Sequence, residues 1–174
     1  MKMNSSKISL RPFELSDVDD FMLMVGDDRA MRFTRWNTFT SKEDALMQLK
    51  NVCMVHPWCR SICLDDRSVG LISVRPASGD DRCRAEIGYG LAVDYWGQGI
   101  TTIAVKMALP IVFKEMPYLL RIQALVDPEN KASQRVLEKV GFIKEGLLRN
   151  YTFHKGVIRD VIFYGFLSTD SILD

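Results

Sequence analysis

Two glycines separated by one residue lie between an apolar strand pattern and an apolar helix pattern. Gly97 and Gly99 belong to the stretch Trp96–Thr102, which reads Trp-Gly-Gln-Gly-Ile-Thr-Thr. A glycine-rich turn from a strand into a helix directs several backbone N–H groups at one point, and the helix N-terminus adds partial positive charge. The stretch therefore predicts a phosphate-binding loop, although an ordinary tight turn would use the same two glycines.

The two common nucleotide loops need residues that this stretch lacks. A dinucleotide fingerprint has a third glycine where Thr102 stands, and a Walker loop continues into Gly-Lys-Ser or Gly-Lys-Thr. The spacing therefore disfavours both a dinucleotide and a nucleoside triphosphate as the ligand.

A second polar group follows at the entrance of a later helix. Asn130 and Ser133 lie one helical turn apart, ahead of an apolar stripe formed by Val136, Leu137 and Val140. The pair thus lies at the rim of a surface that faces the core. Contact with a ligand is one interpretation, and simple capping of the helix by Asn130 is the other.

Composition and charge exclude several classes of protein. A chain of 174 residues has the length of one domain. Its 47% hydrophobic and 26% charged residues exclude a disordered chain, a collagen-like repeat and a coiled coil. The formal net charge of +1 gives no overall electrostatic reason to expect nucleic acid or a membrane as a partner.

The residues that commonly bind metals are too scattered to form a site. The four cysteines are Cys53, Cys59, Cys63 and Cys83, without a C-x2-C pair, and the two histidines are isolated. We therefore expect no metal, and we expect the cysteines to be free buried thiols. The first eleven residues contain no apolar signal core, and no apolar run reaches a membrane-spanning length. A cytoplasmic location is expected, with the nucleus as an alternative.

Periodicity and turn residues predict the elements that position these groups. Pro110 lies inside the long apolar helix after Thr102, so a kink or an early break is expected there. The predicted elements are a strand at Ile8–Pro12, a helix capped by Ser16, a helix at Ser41–Val52 with a capping box to Asp44, strands at Ser61–Leu64, Val69–Val74 and Glu86–Val93, a helix to Glu115, a strand at Arg121–Val126, a helix at Lys131–Val140 ending at Gly141, and two strands between Leu147 and Leu167.

The order of these elements indicates an α+β fold rather than a strictly alternating one. Helices come first, an antiparallel meander follows, and the step from Glu86 to Val126 is long enough for a parallel crossover.

Three motifs in this order and spacing resemble the GNAT superfamily of N-acetyltransferases. They are Glu86-Ile87-Gly88-Tyr89, the Trp96–Thr102 loop, and Asn130-x-x-Ser133-x-Arg135-Val136-Leu137-Glu138-Lys139-x-Gly141-Phe142. Within the superfamily the chain most resembles the RimJ/RimL-like group, whose namesakes acetylate the N-termini of ribosomal proteins. The resemblance covers about residues 7–167, as the core of one GNAT domain spanning 1–174.

The resemblance implies a fold and a cosubstrate. The fold is a twisted, mostly antiparallel sheet of six or seven strands, flanked by about four helices and splayed between its fourth and fifth strands. Acetyl-CoA would enter that gap, with the Leu91, Ala92 and Val93 backbone pairing with the pantetheine amides. The loop residues Gln98, Gly99, Ile100, Thr101 and Thr102 would hold the pyrophosphate, while Asn130 would bind the pantetheine arm and Ser133 would lie near the thioester sulfur.

The resemblance also implies direct attack of an amine on the thioester in a ternary complex. Glu86, on the strand that leads to the loop, is the best candidate for the general base if it is partly buried. The alternative is a structural pairing of Glu86 with Arg82, with Arg84 or with a backbone group. Ser133 is the candidate acid that protonates the departing thiolate. The backbone N–H near Ala92 or Val93 is the expected oxyanion donor. Some relatives instead place a glutamate in the penultimate strand, but the stretch Asn150–Phe153 contains no carboxylate.

Five residues are candidates for the acceptor site. Relatives often shape the substrate cleft with the segment that holds Arg35 and Trp36, although Trp36 packing in the core is equally consistent. Tyr89 and Tyr151 are further candidates and alternative acids. Asp160 either recognises the substrate amine or holds the last hairpin together.

The sequence thus predicts an acetyl-CoA-dependent N-acetyltransferase without a metal. Its acceptor would be a protein N-terminal α-amine or a small amine, with a lysine side chain less favoured. The alternative is a non-catalytic acyl-CoA-binding protein of the same fold. The expected state is a monomer or a weak homodimer.

Overall fold

The computed structural model describes residues 5–174. Residues 1–4 lie outside the described part, and they are the first four of the eleven residues that were used to predict the location. Seven strands form one mixed sheet in the order β1-β2-β3-β4-β5-β7-β6. The strands are β1 Ile8–Arg11, β2 Cys59–Leu64, β3 Arg67–Pro76, β4 Arg84–Leu91, β5 Arg121–Val126, β6 Ile143–His154 and β7 Val157–Leu167. The helices are α1 Val18–Val25, α2 Asp28–Met31, α3 Lys42–Gln48, α4 Ile100–Glu115 and α5 Lys131–Val140.

The chain divides into two compact units. The first contains the residues up to Val74 together with Gly88–Ala108, and the second contains Arg75–Ile87 together with Leu109–Asp174. Because β3, β4 and α4 continue from one unit into the other, each unit is built from segments that are distant in the sequence. Across residues 5–174, no helix is both long and apolar enough to cross a membrane.

The first unit contains the predicted hairpin. β1 pairs antiparallel with β2 from Ile8–Leu64 to Arg11–Ser61, and β2 pairs antiparallel with β3. Asp65 and Asp66 join β2 to β3 with φ values of 47° and 66°. Two successive left-handed residues are the signature of the tight hairpin turn that matches strand twist, so the hairpin prediction is confirmed.

The start of α1 differs from the prediction. Asp17, not Ser16, is its N-cap, and the Ser16 hydroxyl donates to Glu14 instead. Asp17 is 5% exposed and accepts two hydrogen bonds from Arg11 and one from the Glu14 backbone. Burial acts to raise the pKa of Asp17, but these hydrogen bonds outweigh it and lower the pKa below its usual value.

The start of α3 agrees with the prediction. The Ser41 hydroxyl accepts from the Asp44 N–H at 3.1 Å. After Gln48 the helix widens into a π-helical turn at Leu49–Cys53. Ala45 and Leu49 of the predicted stripe are fully buried, whereas Leu46 is exposed.

Pro110 does not break α4, which is continuous from Ile100 to Glu115. Proline removes one backbone hydrogen bond, and burial of the residues around it outweighs that loss. Those completely buried residues are Ala104, Val105, Ala108 and Val112.

The second unit contains the parallel step and the last hairpin. β4 pairs parallel with β5 from Arg84–Arg121 to Glu86–Gln123, while β4 itself continues to Leu91 and β5 to Val126. β5 pairs antiparallel with β7, and β7 with β6. The predicted crossover and closing strands are confirmed, and β6 begins four residues before the predicted Leu147.

α5 begins and ends where the sequence predicts. Gly141 adopts a φ of 113° just after Val140, a conformation that favours glycine and ends the helix. On the neighbouring strand β7, the buried Tyr164 donates its hydroxyl hydrogen to Glu138 of α5 at 2.8 Å. Burial and this hydrogen bond raise the pKa of Tyr164 to about 12. The predicted class, a mixed and mostly antiparallel sheet with flanking helices, is confirmed, with five helices among the described residues where about four were expected.

Candidate active site

β4 ends earlier than the resemblance implied. Its last residue is Leu91, and Val93–Tyr95 forms a 3-10 turn rather than strand. The Ala92 N–H donates to the Val69 carbonyl at 2.9 Å. The Leu91–Val93 stretch is therefore not an extended strand, and the Ala92 amide, one of the two expected oxyanion donors, already has a partner.

Two side chains tie the turn after β4 to its own backbone. The Trp96 indole nitrogen donates to the Leu91 carbonyl at 2.8 Å, and the Gln98 side-chain amide donates to the Asp94 carbonyl at 3.2 Å. Sequence reasoning assigned Trp96 no contact of its own. The signal that sequence reasoning missed is that an indole N–H five residues after Leu91 can reach the carbonyl oxygen at the end of β4.

Gly97 and Gly99 adopt the left-handed backbone conformation that favours glycine. Their φ values are 74° and 81°, and both residues are exposed. The first backbone bond of α4 runs from the Ile103 N–H to the Gly99 carbonyl at 3.1 Å. The N–H groups of Ile100, Thr101 and Thr102 precede it and have no acceptor within the helix. The first unit thus contains a glycine loop followed directly by the N-terminus of α4, an arrangement suited to binding an anion.

In the second unit, Asn130 and Ser133 are joined by a capping bond. The Asn130 side-chain oxygen accepts from the Ser133 N–H at 3.1 Å. The capping interpretation is therefore correct, and it leaves the Asn130 NH2 group as its means of contacting a ligand.

Gln134 is a buried polar residue that sequence reasoning did not single out. It is 8% exposed, and its amide donates to the Pro128 carbonyl at 3.0 Å and to the Asp127 carbonyl at 3.4 Å. These bonds hold the loop that leads into α5 and so fix where Asn130 lies. Gln134 directly follows the predicted site residue Ser133, but a glutamine at this position forms no sequence pattern from which its two hydrogen bonds could be predicted.

Glu86 is exposed, so the condition of partial burial that was attached to its role as the base is not met. Its β4 neighbours Ala85 and Ile87 are buried on the opposite face. The alternative pairing with Arg84 is also not formed, because Arg84 binds Asp81. Glu86 thus lies at a solvent-facing position on the paired part of β4.

Arg35 and Trp36 divide into one exposed and one packed residue. Trp36 lies against Phe21 and Phe39, with ring centroids 6.4 Å and 6.3 Å away, at the edge of the core of the first unit. Its role in packing is therefore confirmed, while Arg35 is exposed. Tyr89, on β4, is half-buried.

Tyr151 and Asp160 line one open cavity of about 730 Å³ in the second unit. The pairing of β6 with β7 skips from Leu148 to Thr152, and Asp160 faces the bulge between them. Its carboxylate accepts from the Asn150 N–H at 2.8 Å, where Asn150 has a φ of 50°. Asp160 therefore holds the hairpin, and it places a carboxylate beside the very stretch of β6 that contains none in sequence.

The cysteines behave as predicted except for one. Cys53, Cys59 and Cys63 are buried, whereas Cys83 is exposed, and all four are free. Within residues 5–174, no group of three potential metal ligands is found.

Residues 7–143 match the family model for the acetyltransferase (GNAT) domain. The chain belongs to this family. The match covers most of the predicted 7–167 core, and the predicted enzyme class, an acetyl-CoA-dependent N-acetyltransferase, is confirmed. That residues 1–174 form a single domain stays a prediction.

Two curated relatives extend along almost the whole chain. An uncharacterized N-acetyltransferase, p20 of Bacillus licheniformis, is 29% identical over 95% of this chain and 96% of its own length. The spermidine N(1)-acetyltransferase of Escherichia coli K12 is 26% identical over 91% of this chain and 85% of its own length.

Two solved structures share the fold closely. A GNAT-family acetyltransferase from Bacillus anthracis is 27% identical, with a TM-score of 0.85 and coverage of 98% of this chain and 100% of its own. RimJ of Mycobacterium smegmatis, solved in complex with a CoA disulfide, is 28% identical, with a TM-score of 0.76 and coverage of 94% and 85%. The predicted RimJ/RimL-like resemblance is confirmed.

Proposed function

We propose that the loop Gln98–Thr102 binds the pyrophosphate of acetyl-CoA. The observation that carries this proposal is the first turn of α4, where backbone N–H groups without helical acceptors follow two left-handed glycines. A phosphate that carries negative charge is favoured there by the helix dipole. Because backbone N–H groups form such a site, the β-branched side chain of Thr101 is compatible with it.

We assign the pantetheine arm and the thioester to Asn130 and Ser133. Since the Asn130 oxygen caps α5, its NH2 group would donate to a pantetheine carbonyl. Ser133 would pass its hydroxyl proton to the departing CoA thiolate and take a proton from a water molecule at the same time, so that the hydroxyl is restored and the solvent neutralises the hydroxide. A thiol has an ordinary pKa near 8.5, so the CoA thiol that forms stays protonated at neutral pH.

We assign the general base to Glu86, acting through water. Its exposure supports a water-mediated role, and its neighbours Arg84 and Arg121 each bind another carboxylate, Asp81 and Glu145 respectively. The attacking amine must be neutral. An α-amino group has an ordinary pKa near 8 and a lysine amine near 10.4, so an α-amine demands less of an exposed carboxylate.

The acceptor is therefore proposed to be a protein N-terminal α-amine or a small amine. Asp160 and Tyr151, which line the cavity beside the β6 bulge, would contact it. The Asp160 carboxylate supports recognition of an ammonium group, since only one of its oxygens is used by Asn150. The spermidine acetyltransferase relative supports the small-amine arm of the proposal.

The test is acetyl transfer from acetyl-CoA to a defined set of amines. The set contains peptides with a free N-terminus and no lysine, the same peptides N-terminally blocked and carrying one lysine, and linear polyamines. We expect turnover with free N-termini or polyamines and little with blocked lysine peptides. Preference for the blocked lysine peptides would contradict the assignment of the acceptor.

The base assignment is tested separately by the pH profile of Glu86→Gln. The variant should lose rate at neutral pH and recover it as pH rises, because a larger fraction of the amine is then already neutral. A profile identical to that of the unchanged enzyme would remove Glu86 from the mechanism.

A further inference from the structure

Trp96 stands between the end of β4 and the glycine loop, and its side chain folds back along the surface. The indole nitrogen reaches over the 3-10 turn at Val93–Tyr95 to the Leu91 carbonyl, 2.8 Å away. The residue is still 48% exposed. The hydrogen bond to Leu91 therefore orients a ring that the core does not enclose.

This bond completes a turn whose backbone is fixed at several other points. The Tyr95 N–H donates to the Ala92 carbonyl and the Trp96 N–H donates to the Val93 carbonyl, each at 3.0 Å. The Ala92 N–H in turn donates to Val69 of β3 at 2.9 Å. The chain is thus tied to the sheet up to and including Trp96.

Beyond Trp96 the backbone has fewer restraints until the helix begins. Gly97, Gln98 and Gly99 are all exposed, and both glycines hold positive φ values. Ile100, which is 1% exposed, is the next buried residue. Glycine loses more conformational freedom on ordering than any other residue, so this short loop is costly to hold in one shape.

We propose that Trp96 is a positioning residue for the phosphate loop. Its indole bond to Leu91 fixes the first end of the loop, as the buried Ile100 fixes the second. The loop N–H groups are then arranged for a pyrophosphate before the ligand arrives. The inference rests on the proposed function, since it takes the loop to be the pyrophosphate site.

The consequence is an effect on donor affinity through preorganisation. When a loop must be ordered on binding, the cost of ordering is subtracted from affinity. Loss of one hydrogen bond of ordinary net strength corresponds to roughly a 2- to 13-fold change in an equilibrium constant. The change should appear only with ligands that carry the pyrophosphate.

The experiment compares Trp96→Phe with the unchanged enzyme, using two ligands that carry the pyrophosphate and one acetyl donor that lacks it. Calorimetry measures the Kd of CoA and of 3′-phosphoadenosine diphosphate. Steady-state kinetics measure kcat/KM with S-acetylpantetheine, which lacks the nucleotide. Trp58→Phe serves as the matched control, because Trp58 is 1% exposed and lies outside the loop. That change should lower stability without altering either Kd.

We expect Trp96→Phe to weaken both pyrophosphate ligands by the same factor, roughly 2- to 13-fold, and to leave kcat/KM with S-acetylpantetheine unchanged. An unchanged Kd for CoA would overturn the positioning role. An equal loss with S-acetylpantetheine would also overturn it, because the effect would then be a general disturbance of the fold. If the unchanged enzyme binds neither pyrophosphate ligand, the proposed function itself fails, and the inference with it.

A second variant separates the N–H group from the shape of the ring. β-(3-Benzothienyl)alanine inserted at position 96 keeps the size of the indole but has no N–H. It should reproduce the loss of affinity seen with Trp96→Phe, even if the phenylalanine variant folds poorly. Affinity equal to that of the unchanged enzyme would show that the bond to Leu91 is not what positions the loop.

Discussion

Replacing Gly99 by alanine tests whether the left-handed loop conformation is needed for the donor. Gly99 has a φ of 81°, and a Cβ built there meets no atom within 4 Å. Steric crowding is therefore absent, and the only penalty is the intrinsic cost of holding an L-residue in this conformation. That cost is about 1–2 kcal/mol.

How this cost divides between stability and affinity depends on what the free loop does. Because the loop is exposed, we expect an alanine at this position to relax to negative φ in the free enzyme, with a small loss of stability. Binding must then restore the left-handed conformation. The affinity for acetyl-CoA should fall by roughly 5- to 30-fold, which is 1–2 kcal/mol expressed as an equilibrium constant.

Gly156 provides a matched control. It has a φ of 82°, and its Cβ would also meet nothing within 4 Å, but it lies in the turn between β6 and β7. Both variants are assayed by calorimetric titration with acetyl-CoA and by urea unfolding with and without the ligand. Gly156→Ala should cost the same stability in both states, whereas the loss in Gly99→Ala should grow when acetyl-CoA is present. Unchanged affinity in Gly99→Ala would refute the assignment of the loop.

Two further predictions concern the ion pair of Arg11 with Asp17 at the start of α1 and the proposed proton donor Ser133. Asp17→Asn should lower the free energy of unfolding by about 1.5–3 kcal/mol, because it removes charged hydrogen bonds from Arg11. Since the folded pKa of Asp17 is lowered, its contribution is complete above the unfolded pKa near 3.9 and is lost as pH falls further. Urea unfolding from pH 7 to pH 3 should therefore show less acid sensitivity in Asp17→Asn than in the unchanged enzyme, and equal sensitivity would contradict the pairing. Ser133→Ala should reduce kcat by less than roughly 100-fold in steady-state kinetics and should keep the cap of α5, since alanine retains the backbone N–H that donates to Asn130. No loss of kcat would remove Ser133 as the acid, and complete loss would contradict the expectation that the proton transfer is undemanding.

The elements whose signals are local were predictable from sequence. α5 is bounded by an asparagine cap and a left-handed glycine, and both act on their immediate neighbours. The same is true of the Ser41 cap of α3 and of the turn at Asp65 and Asp66. Helix caps and tight turns depend on residues that are close together in the chain, so they can be predicted from a single sequence.

The errors arose where distant residues decide the outcome. Ser16 has the right type for a cap, but Asp17 is held by Arg11 from the preceding strand. Pro110 is tolerated because the helix around it is buried. The carboxylate at the β6 bulge comes from β7, so inspection of β6 alone could not find it. Trp96 and Gln134 likewise act on backbone carbonyls that no side-chain pattern marks.

The central claim is that this chain binds acetyl-CoA through the loop that begins α4. The most direct measurement is thermal unfolding of the enzyme with acetyl-CoA, CoA, ATP or NAD at saturating concentration. At a hundred times its Kd, a ligand adds about 2.7 kcal/mol to the free energy of unfolding, a rise in Tm on the order of 5–10 °C for a chain of this size. That rise is expected with acetyl-CoA and CoA, and no rise is expected with ATP or NAD. No rise with acetyl-CoA, or an equal rise with ATP or NAD, would contradict the claim.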